Sequence, residues 1–201
     1  MRKKTCLYLV SLILIPACAA TAAWKVGDKV ETQGAKSGIW FAGEVTRVEG
    51  DKVTVASWGW MNNPEVVPTA RIRALQSFST VTVRRGGSVW AWVSVDGTIR
   101  VGGSIVGSID PEDGTVRKSG SIVGRIFWNG EVHKAGSLAG SIWPTSEMYR
   151  GGTVIGGIDN RDGTIRKGGS IWGSIDGFHH TFQEFRMAFA VLAFFAPEFG
   201  Y

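Results

Sequence analysis

Between residues 82 and 175, apolar and polar positions alternate in short runs that glycine pairs interrupt. For example, the run Thr98–Val101 is followed by Gly102 and Gly103 and then by the run Ser104–Ile109. A period of two bounded by glycine turns predicts two short antiparallel strands joined as a hairpin. The pattern therefore favours an all-β fold in this part of the chain.

This hairpin pattern occurs in six units, which begin at residues 82, 98, 115, 131, 147 and 164, so that the first three units superpose on the last three at a constant offset of 49. Such regular repetition is typical of repeat architectures and predicts twelve short strands in one meander. Dipeptides that supply the positive φ of tight turns connect most of the units. They are Asp96-Gly97, Asp113-Gly114, Asn129-Gly130 and Asp162-Gly163.

One position of each second strand is unusually small. Strand periodicity places Ile105, Gly107 and Ile109 on one face and Val106 on the other. The middle position of that face is Ala91 in the first unit and glycine in the others, although a buried strand gains nothing from glycine unless another group approaches the backbone closely. We therefore expect helix-facing glycines at Gly107, Gly124, Gly140, Gly156 and Gly173.

The segment after the last unit supplies a candidate for that group. It is apolar all round from Met187 to Ala196 and is followed by Pro197, which predicts a buried helix over about residues 182–196. Twelve strands tilted by about 40° close at a radius of roughly 12 Å, enough for one helix on the axis. The sequence therefore predicts that residues 80–201 form a barrel-like or radial six-hairpin β-repeat around a buried C-terminal apolar helix.

This repeat resembles the β-flower domains of bacteria, in which hairpins surround a central axis. The resemblance covers roughly residues 80–195, although six units replace four. A β-solenoid with coils of 16 to 17 residues is the alternative, but it leaves the glycine column and the apolar tail without an explanation.

An earlier region, residues 23–76, has its own pattern of short alternating strands. Its runs are Val26–Glu31, Ile39–Val45, Val48–Val55 and a closing segment Val66–Arg73, with a Gly-Asp turn at residues 50 and 51. Short antiparallel strands joined by such turns predict a small SH3-like barrel.

The residues of this region resemble the Tudor-like (Agenet-like) small barrels over about fifty positions. In that family an aromatic cage holds a methylated cationic side chain by cation–π attraction, and the resemblance implies ligand-binding roles for Phe41, Trp58 and Trp60. Asn62–Val66 replaces the acidic and aromatic residues that usually follow the second cage region. The alternative is that Trp58 and Trp60 pack on one face of a strand, because aromatic residues spaced by two share a face.

The amino terminus has the form of a secretory signal. Basic residues at positions 2–4 precede an apolar run from Leu7 to Pro16 and then small residues, which predicts a signal peptide over residues 1–22 and an exported, periplasmic protein. The alternative to ordinary signal-peptide cleavage is a lipoprotein box ending at Cys18. Processing there would make the protein an outer-membrane lipoprotein with a lipid on Cys18. Cys6 is the other cysteine, so the mature chain is expected to hold no intramolecular disulfide.

The formal net charge of the chain is +5, but residues 1–22 carry three basic and no acidic side chains, so removal of this segment leaves +2. A net charge this small is weak support for nucleic-acid binding. We expect no nucleic-acid partner, and membrane contact through a possible anchor at Cys18. Equivalent basic positions of the units would form an outward ring, either as a soluble surface or as a contact with anionic lipid head groups or glycans. They are Arg100, Arg117, Lys118, Arg166 and Lys167.

The sequence lacks recognisable catalytic and metal-binding patterns, and we therefore expect a protein that is not an enzyme and has no metal or cofactor. The glycine-rich turns do not form a phosphate loop, and His133, His179 and His180 lack acidic or cysteine partners at ligand spacing. The sequence predicts an envelope scaffold or binding module for an unknown peptide, glycan or envelope component, with the oligomeric state open. The alternative is a hydrophobic-ligand or lipid-binding protein that uses a cavity in the repeat.

Overall fold

A computed structural model of the protein describes residues 24–58, 64–76, 79–143, 145 and 147–201. These residues form a five-stranded sheet, a closed twelve-stranded barrel and one C-terminal helix. The all-β fold class with a barrel of six hairpins and a buried C-terminal helix is therefore confirmed.

The five-stranded sheet contains the first strands of the chain, all paired antiparallel in the order β4-β3-β2-β1-β5. A short 3-10 turn at Thr69–Arg71 leads into the last strand. The buried face of the sheet is made of aliphatic side chains, chiefly valines such as Val30, Val45 and Val55. The strands are β1 (Lys29–Gln33), β2 (Trp40–Glu49), β3 (Lys52–Ser57), β4 (Glu65–Pro68) and β5 (Ile72–Ala74).

The six repeat units form the barrel, in which β17 pairs with β6 and leaves every strand paired on both sides. Because neighbouring strands are antiparallel, all turns within units lie at one end and all turns between units at the other. The strands are β6 (Val81–Arg85), β7 (Ser88–Val93), β8 (Thr98–Val101), β9 (Ser104–Ile109), β10 (Thr115–Lys118), β11 (Ser121–Ile126), β12 (Glu131–Lys134), β13 (Ser137–Ile142), β14 (Glu147–Arg150), β15 (Thr153–Ile158), β16 (Thr164–Lys167) and β17 (Ser170–Asp176).

Every hairpin contains a β-bulge at the same place. In the second unit Ile99 pairs with Gly107, whereas Arg100 pairs with Ile105, so Val106 has no partner on β8. Val106 packs on the barrel core, and Ile105 is 61% exposed. The prediction that Ile105 shares the inner face with Gly107 was wrong, because the extra residue of a bulge interrupts the alternation of faces.

The helix α1 (Phe182–Phe195) occupies the inside of the barrel. It begins with a capping box, in which the Glu184 N–H donates to Thr181 Oγ1 (3.2 Å) and the Thr181 N–H donates to Glu184 Oε2 (3.1 Å). Side chains from all around the helix, such as Phe189 and Leu192, are at most 1% exposed. A helix that is apolar on every side is stable only when protein surrounds it, as the barrel does here.

A buried arginine fixes the amino end of the helix to a turn between units. Arg186 Nη2 donates to the Pro111 carbonyl oxygen (2.7 Å), and the guanidinium carbon lies 3.9 Å from the ring centre of Trp128. Burial lowers the pKa of Arg186 to about 9, and the carboxylates of Asp113 and Asp110 oppose that shift. Because loss of the charge still requires a pH well above neutral, Arg186 remains a cation inside the barrel end.

The five-stranded sheet lies against this same end of the barrel. The Trp40 N–H donates to the His180 carbonyl oxygen (2.8 Å), and Asn160 Nδ2 donates to the Ser37 carbonyl oxygen (2.9 Å). The opposite end consists of the six glycine-containing hairpin turns, so the two ends of the barrel differ in both cover and chemistry. Within the described ranges, none of the helices combines the length and the apolar character that crossing a bilayer requires.

Candidate functional site

The two cage residues that the structure describes belong to a packed aromatic chain between the sheet and the barrel. Phe41 stacks on Phe182 with ring centres 5.5 Å apart, and Phe182 lies 6.3 Å from Trp128. Trp58 also contacts Trp128, edge-on, with ring centres 5.7 Å apart. These contacts give Phe41 and Trp58 a packing role at the junction, while Trp60 lies outside the described residues.

The inward glycines lie beside aromatic rings of the C-terminal segment and beside a carbonyl group of the next strand. An added Cβ at Gly156, for example, would lie 2.6 Å from the Arg166 carbonyl oxygen and 3.0 Å from the Phe199 ring. At Gly173 the nearest atoms are instead the backbone of Arg84 and Arg85. The ring contacts are Gly107 with Phe195, Gly124 with Phe194, Gly140 with Tyr201 and Gly156 with Phe199.

A small cavity of about 180 Å³ brings a serine, a histidine and carboxylates together beside the helix start. His179 Nδ1 lies 2.6 Å from Glu184 Oε1 and 3.4 Å from Ser79 Oγ. In a nucleophile–base–acid set the serine and the carboxylate use different ring nitrogens, whereas both use Nδ1 here. The contacts therefore position the capping Glu184 and form no proton relay.

Glu31 also lines this cavity, with 4% of its surface exposed. Burial raises the pKa of Glu31, although Arg73, whose Nε donates to Glu31 Oε2 at 2.7 Å, opposes the shift. The described residues contain no cluster of three or more histidine, cysteine or acidic side chains able to hold a metal ion. The cavity therefore combines a costly buried carboxylate with a structural cap.

A larger groove of about 820 Å³ runs along the outer wall between the fourth and fifth units. It extends from Trp143, in the connection between those units, to Leu138 and the Gly151-Gly152 turn at the other end of the barrel. Trp143 is 52% exposed, and it also lines a second depression of about 690 Å³ between the barrel and the sheet. We call the two connected depressions the Trp143 groove.

The polar groups of the Trp143 groove are mainly hydroxyls and carboxylates. Trp143 Nε1 donates to Ser141 Oγ (3.1 Å), which fixes the indole, and the Tyr149 hydroxyl donates to Glu147 Oε2 (2.6 Å). This hydrogen bond raises the pKa of the Tyr149 phenol above its usual value. Glu131 adds a third acceptor from the neighbouring strand. The groove thus combines an aromatic surface with a row of hydrogen-bonding groups.

Sequence reasoning missed Trp143, although one signal was present. The connection before residue 147 contains Thr145 and Ser146, where the other four connections between units have Asp-Gly or Asn-Gly. This departure from the repeat identifies the one connection that carries a tryptophan followed by proline. The groove itself could not be predicted, because the sheet supplies its second half by packing against the barrel.

The predicted basic ring lies at the hairpin-turn end of the barrel. Arg117, Lys118 and Arg166 are exposed, and Lys118 Nζ lies 5.9 Å from the ring centre of Phe195 beside the end of the helix. Cys18 lies outside the described residues. Comparisons of the chain with protein-family models, with curated proteins and with solved structures give no match.

Proposed function

We propose that the protein is a non-enzymatic binding module of the bacterial envelope that holds a saccharide chain in the Trp143 groove. The observation that carries this proposal is the half-exposed indole of Trp143 at the point where two depressions meet. Monomeric proteins keep most large aromatic side chains at least partly covered, and an aromatic surface within a groove is typical of binding sites.

Saccharide chemistry matches both components of the groove. The C–H face of a pyranose ring packs on a flat aromatic side chain, and its hydroxyl groups need paired donors and acceptors when they lose water. Trp143 supplies the aromatic face, while Glu147 and Ser141 supply polar atoms within the same groove. An extended peptide usually binds by adding a strand to an open sheet edge, but the strands of this barrel wall are paired on both sides.

The interior of the barrel is a poorer candidate for a ligand site than the Trp143 groove. Its axis is occupied by α1, and side chains such as Met187 and Val191 are fully buried against the wall. A hydrophobic ligand in the repeat would have to displace that packing. The outer groove needs no such rearrangement, so we place the function there rather than in the alternative lipid cavity.

The envelope location in this proposal rests on the secretory pattern of residues 1–22. Charged, apolar and small residues occur there in the order of a signal peptide. A saccharide-binding module outside the cytoplasm would meet polysaccharides of the cell envelope, and it needs no cofactor for that role.

Binding of soluble tetrasaccharides of glucose and of N-acetylglucosamine, measured by titration calorimetry, tests the proposal. W143A should weaken binding by about tenfold or more, as expected for a central aromatic contact. W92A is the matched control, because Trp92 is also partly exposed but belongs to the first unit, outside the groove. The proposal is wrong if none of these saccharides binds, or if the two variants lose the same affinity while both keep the native circular dichroism spectrum.

A further inference from the structure

The hairpin-turn end of the barrel carries a ring of exposed aliphatic side chains, one from each unit. The bulge turns them outward, and their exposed fractions run from 46% to 69%. Single exposed aliphatic residues are common on soluble proteins, whereas a complete ring at equivalent positions needs a physical reason. The six residues are Val89, Ile105, Ile122, Leu138, Val154 and Ile171.

Basic residues accompany this ring. Directly across each hairpin, the partner of the aliphatic residue is an arginine in four units, as in the pair Arg100 and Ile105 or the pair Arg117 and Ile122. His133 and Tyr149 take this place in the fourth and fifth units. We call the six aliphatic residues and their six partners the hairpin-tip rim. The four arginines are Arg84, Arg100, Arg117 and Arg166.

More cations follow one position closer to the turns, where they surround the end of the chain. Lys134 Nζ donates to a Tyr201 oxygen, Arg150 donates to the Gly200 carbonyl oxygen, and Arg85 pairs with Glu198 (2.7 Å). Arg100 and Arg117 instead donate to glycine carbonyls of their own turns, at 3.4 and 3.5 Å. Arg84 is the exception among the four, because its Nε donates to Asp176 Oδ2 (2.6 Å). Arg100 and Arg117 have neutral turn carbonyls as partners, so their positive charge stays uncompensated beside the apolar surface.

We infer that the hairpin-tip rim docks on the surface of an anionic lipid bilayer. All six turns lie at one end of a closed barrel, so the rim matches a flat partner rather than a groove. Anionic head groups complement the arginines, whose apolar stems can lie along the exposed aliphatic side chains while the guanidinium groups reach outward. The turns are mostly glycine, as at Gly102 and Gly103, and so present little bulk to the head-group layer.

Two other occupants fit less well. A second copy of the rim would bring like charges together, which disfavours association. Nucleic acid would satisfy the arginines, but single strands are usually held by stacking on aromatic residues, and the rim presents aliphatic groups. The inference adds direct membrane contact to the sequence expectation of a lipid anchor at Cys18. Leu138 and Tyr149 belong to both the rim and the Trp143 groove, so the variants that test the rim leave these two residues unchanged.

The test places a fluorophore at two exposed valine or isoleucine positions at opposite ends of the barrel. All variants carry C6S/C18S, which removes other thiols and any lipidation. I105C and V95C are labelled with the polarity-sensitive dye nitrobenzoxadiazole, because Ile105 is on the rim and Val95 is 51% exposed between units. With vesicles of phosphatidylcholine containing about one third phosphatidylglycerol, the dye at residue 105 should shift to the blue and the dye at residue 95 should not.

Vesicle sedimentation then separates the charge and the apolar surface. R100Q/R117Q/R166Q should weaken binding about a hundredfold at low salt, since one basic residue near an anionic surface changes affinity about fivefold. I105S/I122S/I171S should weaken it about tenfold or more. The matched control V26S/V66S/V95S removes three aliphatic side chains that are 51% to 67% exposed outside the rim, and it should bind as the parent does.

Several results would overturn the inference. Equal binding to pure phosphatidylcholine vesicles would show that the head-group charge is not recognised. Equal blue shifts at residues 105 and 95, or no shift at either, would show that the rim is not the docked surface. Dextran sulfate binding as tight as vesicle binding, with no loss in I105S/I122S/I171S, would identify a general polyanion surface instead of a membrane contact.

Discussion

The inward glycines give a prediction that separates two physical causes. At Gly124 an added methyl group would overlap both the His133 carbonyl oxygen and the Phe194 ring, whereas at Gly173 it would meet only the backbone of Arg84 and Arg85 among its nearest atoms. The first unit tolerates Ala91 at this position with no exposed surface. We therefore expect a carbonyl contact to be relieved by a small strand shift, and a ring contact to cost more.

The magnitudes follow from these contacts. G173A should lower the free energy of unfolding by about 1 kcal/mol, because strain outweighs the 0.4 to about 1 kcal/mol that alanine gains by restricting the unfolded chain. G124A should lower it by about 3 kcal/mol, since overpacking a core adds about 1 to 3 kcal/mol. That difference corresponds to about 4 to 8 °C in melting temperature for a chain of this size.

Urea unfolding of G124A, F194A and G124A/F194A forms a double-mutant cycle that tests the cause. If the ring is responsible, the double variant should be more stable than the sum of the single losses predicts, by about 1 to 2 kcal/mol. G173A combined with F194A serves as the control and should be additive. Equal losses in G124A and G173A, together with additivity in both cycles, would refute the idea that helix rings require the glycines.

Three further predictions concern the barrel end and the helix. R186A should lower the free energy of unfolding by about 2 to 5 kcal/mol in urea titrations, since it leaves a cavity beside Trp128 and an unpaired Pro111 carbonyl group; a loss below 1 kcal/mol would contradict this. Because burial raises the pKa of Glu31, its contribution to stability is present below pH 4.5 and is lost as the pH rises through the raised pKa. E31Q should therefore flatten the melting temperature against pH over that window, and an unchanged slope would show that Glu31 is not the group responsible. A chain ending at Gly177 should melt at a much lower temperature and bind a hydrophobic dye, whereas equal stability without dye binding would show that α1 is not part of the core.

The features that the sequence predicted are those set by repetition. Six equal units, turn glycines and an apolar segment are each sufficient to specify a local structure, and Gly97 and Gly114 do have the positive φ expected of their turns. The helix was predicted at about residues 182–196, and it occupies Phe182–Phe195. The Tudor-like identity of the first region stays a prediction, because a five-stranded sheet alone does not specify that family.

The features that the sequence did not predict depend on contacts between distant segments. Phe41 and Trp58 were candidates for an open cage, but Phe182 of α1 packs with Phe41 and Trp128 of the repeat packs with Trp58. The residue types are the same in either case, and only the docking of the sheet on the barrel decides between a ligand cage and a core. The sequence assigned no role to Trp143 for the same reason, because residues of the docked sheet form part of its groove.

The β-bulge links the interior of the barrel to its surface. A regular hairpin would direct Ile105 inward beside Gly107, and the strand would then present its apolar residues to one face. The bulge moves Val106 into the core instead and leaves Ile105 outside opposite Arg100. The same register shift occurs in all six units, so one local irregularity changes which side chains face the core and also builds the hairpin-tip rim. A variant that removed the bulge should therefore disturb helix packing and membrane binding together, whereas I105S should affect membrane binding alone.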